Sequence, residues 1–376
     1  MKRACHGALL CAALLAAPVH ATETPCSAWP EWAKFKQLYL SEDGRVVDAS
    51  TDQRVTVSEG QAYALLFALV GNDRVGFDAV LEWTRNNLAH GDLGHSLAAW
   101  KWGRAADGRW TVLDANSASD ADVWMSYALA EAARLWRTPA YGDISRALSE
   151  SILREEVALV PGLGSTLLPG PRGFVSGEIW RLNASYSPIQ ALRVVARQSG
   201  NALWDQVLAS SDRVIFASIP RGYAADWIAY RSNEGFFTDP ATHGVGSYDA
   251  IRVYLWSGML ADADPQTRPL AHALEPMIAA AAKHPVPESI DTASLETHGE
   301  GSPGFTAALL PSLERTHVDA AVQAARAQIE AAALKNNQHY FSDALTLFGL
   351  GWLDGRYRFD RQGRLEVPWT GPCGTR

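Results

Sequence analysis

Three apolar runs in this chain each open on a carboxylate: 56–66 with Glu59, 118–129 with Asp120 and Asp122, and 246–254 with Asp249. In the second run Val123, Tyr127 and Ala130 recur at helical spacing, with Leu129, Ala133 and Trp136 beside them. An acid in the first turn of a helix is electrostatically favoured, because that end carries partial positive charge and unpaired N–H groups. Capping alone explains each acid taken singly. Ser117 or Ser119 with Asp120, and Thr56 with Glu59, match capping-box patterns. Taken together the runs constrain the fold more tightly. If the three helices run parallel in one bundle, their N-termini gather at one end, and Glu59, Asp120 and Asp249 face one cleft.

The rest of the chain supplies such a bundle. Helical period predicts helices over 29–36, 58–70, 75–88, 120–136, 141–154, 187–198, 202–217, 247–260, 267–283, 306–313, 318–335 and 342–353. Short turns join most of them in pairs. Residues 91–115 read as a long loop containing Trp100, Trp102 and Trp110. Residues 157–182 are dense in Gly and Pro and read as irregular with short strands. Residues 218–246 read as irregular, with Tyr223, Trp227 and Tyr230 clustered in them. No segment reads as a linker, so the expectation is one all-α domain over 22–376. Six antiparallel hairpins close into an α/α barrel, whose inner helices share a direction.

Residues 1–21 read as a secretory leader. Lys2 and Arg3 precede a short apolar core over 8–18, and Val19-His20-Ala21 forms a small-residue cleavage site before Thr22. That core is too short to span a bilayer. The expectation is export across the inner membrane, to the periplasm or beyond. The formal charge of -8 becomes -8 - 2 = -10 without Lys2 and Arg3, which disfavours nucleic acid and anionic membrane as partners. Cys5 and Cys11 leave with the leader. Cys26 and Cys373 remain, and an oxidising compartment permits a disulfide that would tie the two ends together; two unpaired thiols are the alternative. No cysteine and histidine cluster has zinc spacing, and no Gly-rich phosphate loop is present. No metal or organic cofactor is implied.

Over nineteen residues, Ala118-Ser119-Asp120-Ala121-Asp122 followed by Met125, Tyr127, Ala128, Ala132 and Trp136 resembles the motif of glycoside hydrolase family 8. The stretch from Ser58 to Tyr63 resembles that family's general-acid segment, and Tyr248-Asp249-Ala250-Ile251-Arg252 its general-base segment. Asn183-Ala184-Ser185-Tyr186 is similar to its Asn-Pro-Ser-Tyr, with Ala184 in place of proline. The resemblance implies a six-hairpin barrel and an inverting endo-β-1,4-glucanase. Glu59 is then the general acid, Asp249 the general base, and Asp120 the residue that positions the sugar or, in some descriptions, the nucleophile. Within the family the likeness is strongest to members that accompany bacterial cellulose synthase. A β-glucan substrate and a cellulose synthase complex are the implied partners.

Glycoside hydrolysis by two carboxylates needs one protonated and one ionised. Glu59 must therefore be held neutral, against its helix N-terminus, by burial or by the like charge of Asp120. Arg252, one turn beyond Asp249, is placed to keep the base ionised; an ordinary surface ion pair is the bland alternative. Inversion requires about 6.5–9.5 Å between the two carboxyls. Fourteen Trp and eleven Tyr offer flat faces for sugar rings. Trp100, Trp102, Trp180, Tyr186 and Tyr248 lie in or beside the loops and are expected to bind substrate, with Arg252. Trp83, Trp136 and Trp204, on helical faces, are expected in the core. Asp122 has an even claim to a structural role, and His90, His95 and His243 read as solvated. Two other readings stand beside this one: the same barrel acting on chitosan, xylan or mixed-linkage glucan, and a glucan-binding component of an export complex without turnover.

Overall fold

The structure, a computed structural model, describes residues 28–333 and 339–371. The leader, Cys26, Cys373 and the end of the helix expected over 318–335 lie outside the described residues. Thirteen α-helices occur among the described residues: α1 (Pro30–Tyr39), α2 (Ser58–Val70), α3 (Arg74–Leu88), α4 (Ser119–Leu135), α5 (Pro139–Glu155), α6 (Ile189–Ser199), α7 (Leu203–Ala217), α8 (Ala250–Gly258), α9 (Thr267–Ala273), α10 (Glu275–Ala281), α11 (Pro303–Arg315), α12 (Asp319–Ala333) and α13 (Tyr340–Leu353). None is long and apolar enough to cross a membrane.

Two kinds of helix alternate. In α2 every residue except Glu59 is buried, and in α4 everything from Ser119 to Ala132 is. Helices apolar on all sides must sit inside. By contrast α3 buries one stripe of Phe77, Val80, Leu81, Trp83, Thr84 and Leu88 and wets the rest. The inner set is α2, α4, α6, α8, α11 and α13. Neighbours follow in that order, α6 reaching α8 through Gln190 Nε2, which donates to Trp256 O at 3.5 Å, and the ring closes where Phe348 of α13 meets Phe67 and Tyr63 of α2, with ring centroids 4.7 and 5.2 Å apart. The outer helices α3, α5, α7, the α9–α10 pair and α12 each follow their inner partner. The sixth hairpin is made from distant sequence: α1 lies against α13, and Tyr39 Oη donates to Asp343 Oδ2 at 2.5 Å. The expected α/α barrel is thus the observed architecture, with one contiguous core running from Trp29 to Val367.

Two expectations need correction. Helix 267–283 breaks between Ala273 and Glu275, because Pro276 has no N–H to donate to the turn before it. The 91–115 loop is a hairpin: β1 (Thr56–Val57), β2 (Ala99–Arg104) and β3 (Trp110–Ser117) form an antiparallel sheet in that order. Its turn runs through Asp107-Gly108, where Gly108 takes a φ of 85° that a residue with a Cβ adopts at a cost. Short strands also appear at Ile179–Leu182 and Ile228–Arg231, in a four-stranded antiparallel sheet.

Candidate active site

Neither expected capping box forms. The N-cap of α2 is Val57 and that of α4 is Ala118, and neither makes a side-chain cap bond. The Thr56 hydroxyl donates to Val46 O instead. The first-turn acids are therefore free for other partners, and they find one another.

Arg252 is the hub. It is buried, at 4 % exposure, and its guanidinium forks between two carboxylates: Nη1 donates to Asp120 Oδ2, and Nη2 donates to Asp249 Oδ1 at 2.7 Å. Nη1 also reaches Tyr63 Oη at 3.2 Å, and the cation sits 5.5 Å from the Tyr186 ring. This is no surface ion pair. Asp120 is 1 % exposed, and its Oδ1 accepts from Ala121 N at 2.8 Å. Burial pushes its carboxyl up, Arg252 pulls it back, and the charge of Asp249 adds to the rise. Asp249 is the N-cap of α8 and leaves part of its carboxylate open to solvent.

Glu59 lies half-buried beside this network. Burial first, and the charge of Asp120 second, lift its carboxyl to about 8. Its own backbone N–H, Arg252 and the Trp100 indole N–H act the other way without prevailing. One carboxyl thus holds its proton at neutral pH within a cluster whose remaining members surround an arginine, the division of labour that two-carboxylate hydrolysis requires.

The aromatic residues divide. Trp100 is near enough to Glu59 for its indole to help lower that carboxyl. Tyr186 comes to Arg252 through a short turn in which Asn183 Oδ1 accepts from Ser185 N at 3.0 Å and Ser185 Oγ at 2.7 Å. Tyr248 stands exposed one residue before Asp249, edge-on to Phe305 and bonded to Glu288 Oε1 at 2.7 Å. Trp102 and Trp180 make their ring contacts with other aromatic residues. The Trp102 ring packs edge-on against Trp83 of α3 and stacks on Trp110, with Arg45 4.4 Å from its centroid. Trp180 sits opposite Tyr230 in the sheet, while its neighbour Arg181 lies 4.1 Å from the Trp227 ring centroid.

Several contributors escaped the sequence. Tyr63 lies one turn from Glu59 on the same helical face, a spacing that was there to read. Trp227 sits 6.3 Å from Tyr186 and stacks on Phe174, within 7° of parallel. Asp226 accepts from the backbone of 247–250, and burial together with the charge of Asp249 lifts it to about 6. Asp122 is fully buried and raises the carboxyl of Glu156, which follows the end of α5. Beyond Tyr248 a cavity of about 500 Å³ opens, lined by Asp48, Glu288, Glu300 and Tyr340 among others. Among the described residues no group of His, Cys, Asp and Glu is arranged to hold a metal ion.

The family model described as glycosyl hydrolases family 8 matches residues 7–355. An endoglucanase of Xanthomonas axonopodis pv. citri is 47 % identical over 374 residues, covering 97 % of this chain and 94 % of the relative. An endoglucanase of Escherichia coli strain K12 is 42 % identical over 346 residues, covering 92 % of each. The crystal structure of an endo-1,4-D-glucanase from Vibrio fischeri ES114 superposes with a TM-score of 0.88 at 40 % identity, covering 92 % of this chain and 100 % of that one.

Proposed function

The chain belongs to glycosyl hydrolases family 8, and from that membership we propose how it works as an endoglucanase: Glu59 gives the proton and Asp249 takes one, with inversion at the anomeric carbon of a β-1,4-linked glucan. A water oxygen attacks the anomeric carbon as the bond to the leaving oxygen breaks. Glu59 protonates that oxygen, and Asp249 accepts the proton the water sheds. The β-linked sugar leaves as the α anomer, and solvent resets both carboxyls.

One observation carries this reading: Arg252 joins Asp120 to Asp249 while Glu59, beside them, is held neutral. Asp120 fits a positioning role better than a nucleophilic one. Both of its oxygens accept hydrogen bonds, one of them from a buried cation, and a carboxylate so engaged attacks poorly. Trp100, Tyr186 and Tyr248 supply flat faces for the sugar rings, whose axial C–H groups pack on aromatic planes.

Proton NMR during cleavage of a cello-oligosaccharide tests substrate and stereochemistry together. The α anomer should appear first; first appearance of the β anomer overturns inversion. Glu59→Gln and Asp249→Asn should each lower kcat by about 10²–10⁴-fold. The leader over 1–21 supports export to the periplasm or beyond, and the motif likeness supports work alongside a cellulose synthase. Cell fractionation checks the first, and cellulose yield from a deletion strain checks the second.

A further inference from the structure

A helix that begins with an acid usually spends that acid on its own unpaired N–H groups. Helix α8 does not. Its N-cap, Asp249, makes no cap bond, because its Oδ1 is engaged by Arg252. The donors are covered from elsewhere. Asp226, on the segment between α7 and the strand Ile228–Arg231, turns Oδ1 onto the first N–H of the helix and two just before it: Ala250 N at 2.7 Å, Asp249 N at 3.1 Å and Ser247 N at 2.7 Å.

The approach is built for closeness. Asp226 N is itself held by Val245 O at 2.9 Å. A Cβ on Gly246 would stand 2.0 Å from Ala224 O, so only glycine lets the two segments meet. We infer that Asp226 is a positioning residue for the catalytic base: it caps α8 in place of Asp249, and so leaves the Asp249 carboxylate facing the groove. Without it, Asp249 is the nearest acceptor for the exposed N–H groups and turns back onto its own backbone. Arg252 then loses one prong of its fork, and the attacking water loses its acceptor. The inference rests on the reading of Asp249 as base, and deepens it.

The test uses four single variants of the full chain. In each, kcat and KM are measured on a soluble cello-oligosaccharide, and folding is checked by near-UV circular dichroism. Asp226→Ala should lower kcat by about 100-fold, the size expected when a reacting group is displaced by about an ångström, with KM within about threefold of wild type. Asp226→Asn keeps an oxygen in the accepting position and should recover most of kcat. Asp226→Glu keeps the charge but overshoots the three donors, and should lose more than tenfold in kcat. Asp249→Asn reports on the underlying reading. If it stays active, Asp249 is not the base, and the reading of the site falls first. If it is dead while folded Asp226→Ala and Asp226→Glu turn over normally, the base stands and the positioning role is overturned. Equal damage from Asn and Ala at 226 also overturns it, since a hydrogen-bond acceptor would then not be what matters. Should Asp226→Ala fail to fold, the contrast between Asn and Glu decides alone.

Discussion

At the scale of single residues the decisive quantity is the proton on Glu59. Its carboxyl is raised to about 8 by burial and by Asp120. The donor form is therefore complete well below that pH and is lost as pH rises through it. The kcat/KM profile, which reports the free enzyme, should carry an alkaline limb near pH 8. The Trp100 indole N–H opposes the rise by bonding to the ionised form. Trp100→Phe keeps a ring for the sugar and removes that donor. The limb should move to higher pH, read from parallel kcat/KM profiles on one oligosaccharide. A limb that stays in place, or moves down, would mean that the indole does not speak to Glu59.

At the scale of elements, the three acid-bearing helices are tied down by side chains from outside them, and Asp122 shows how far this goes. Asp122 and Glu156 are both fully buried and act on each other, Asp122 Oδ2 and Glu156 Oε2 have no other partner, and burial holds both carboxyls well above the ordinary range. Asp122 Oδ1 accepts from Ala98 N at 3.3 Å and Glu156 Oε1 from Ser117 Oγ at 2.6 Å, so the pair knots α4 and α5 to the two feet of the β2–β3 hairpin that carries Trp100. The ionisable groups facing the pair are Asp120 and Glu59, both acids. A carboxyl raised on folding binds more protons folded than unfolded. Its stability is complete below the unfolded value near 4 and drains away as pH climbs toward the folded one. Asp122→Asn still accepts from Ala98 N and donates to Glu156, but it does not titrate. The melting temperature of Asp122→Asn minus that of wild type should therefore rise between about pH 5 and pH 8. A difference independent of pH would sink the shared-proton account. The sequence offered Asp122 only as a neighbour of Asp120, because its partner lies in α5 and proximity across a hairpin has no local signature. The hairpin has a local signature in Asp107-Gly108, a turn pair that fits between two strands. The acids were legible from helical period; their freedom from capping was not, since a capping box and a catalytic carboxylate share one spacing.

At the scale of the whole molecule, the period of the apolar residues was enough to give the five hairpins built from adjacent helices. The sixth was not readable, because α1 and α13 are joined by packing and not by a turn. Ring closure therefore depends on how closely helices from the last third of the chain approach. Between α11 and α13 the approach is backbone to backbone. A Cβ on Gly349 would stand 2.0 Å from Ala307 O, and one on Gly304 2.5 Å from Ser342 O. This makes Gly349→Ala a test in which two effects have opposite signs. Helix propensity alone favours alanine over glycine by about 1 kcal/mol in a helix interior. The contact forbids it, since a carbonyl of α11 cannot yield without moving its helix. Overpacking of that kind costs about 1–3 kcal/mol. The contact should win, and Gly349→Ala should lower the urea midpoint with an unchanged m-value, because the unfolded surface is the same. Gly349 lies toward the C-terminal end of α13, whereas the acids stand at the N-termini of α2, α4 and α8, so turnover by the fraction still folded should change less than stability. A midpoint raised by the substitution would mean that α11 and α13 do not meet this closely, and that the barrel is closed by side chains alone.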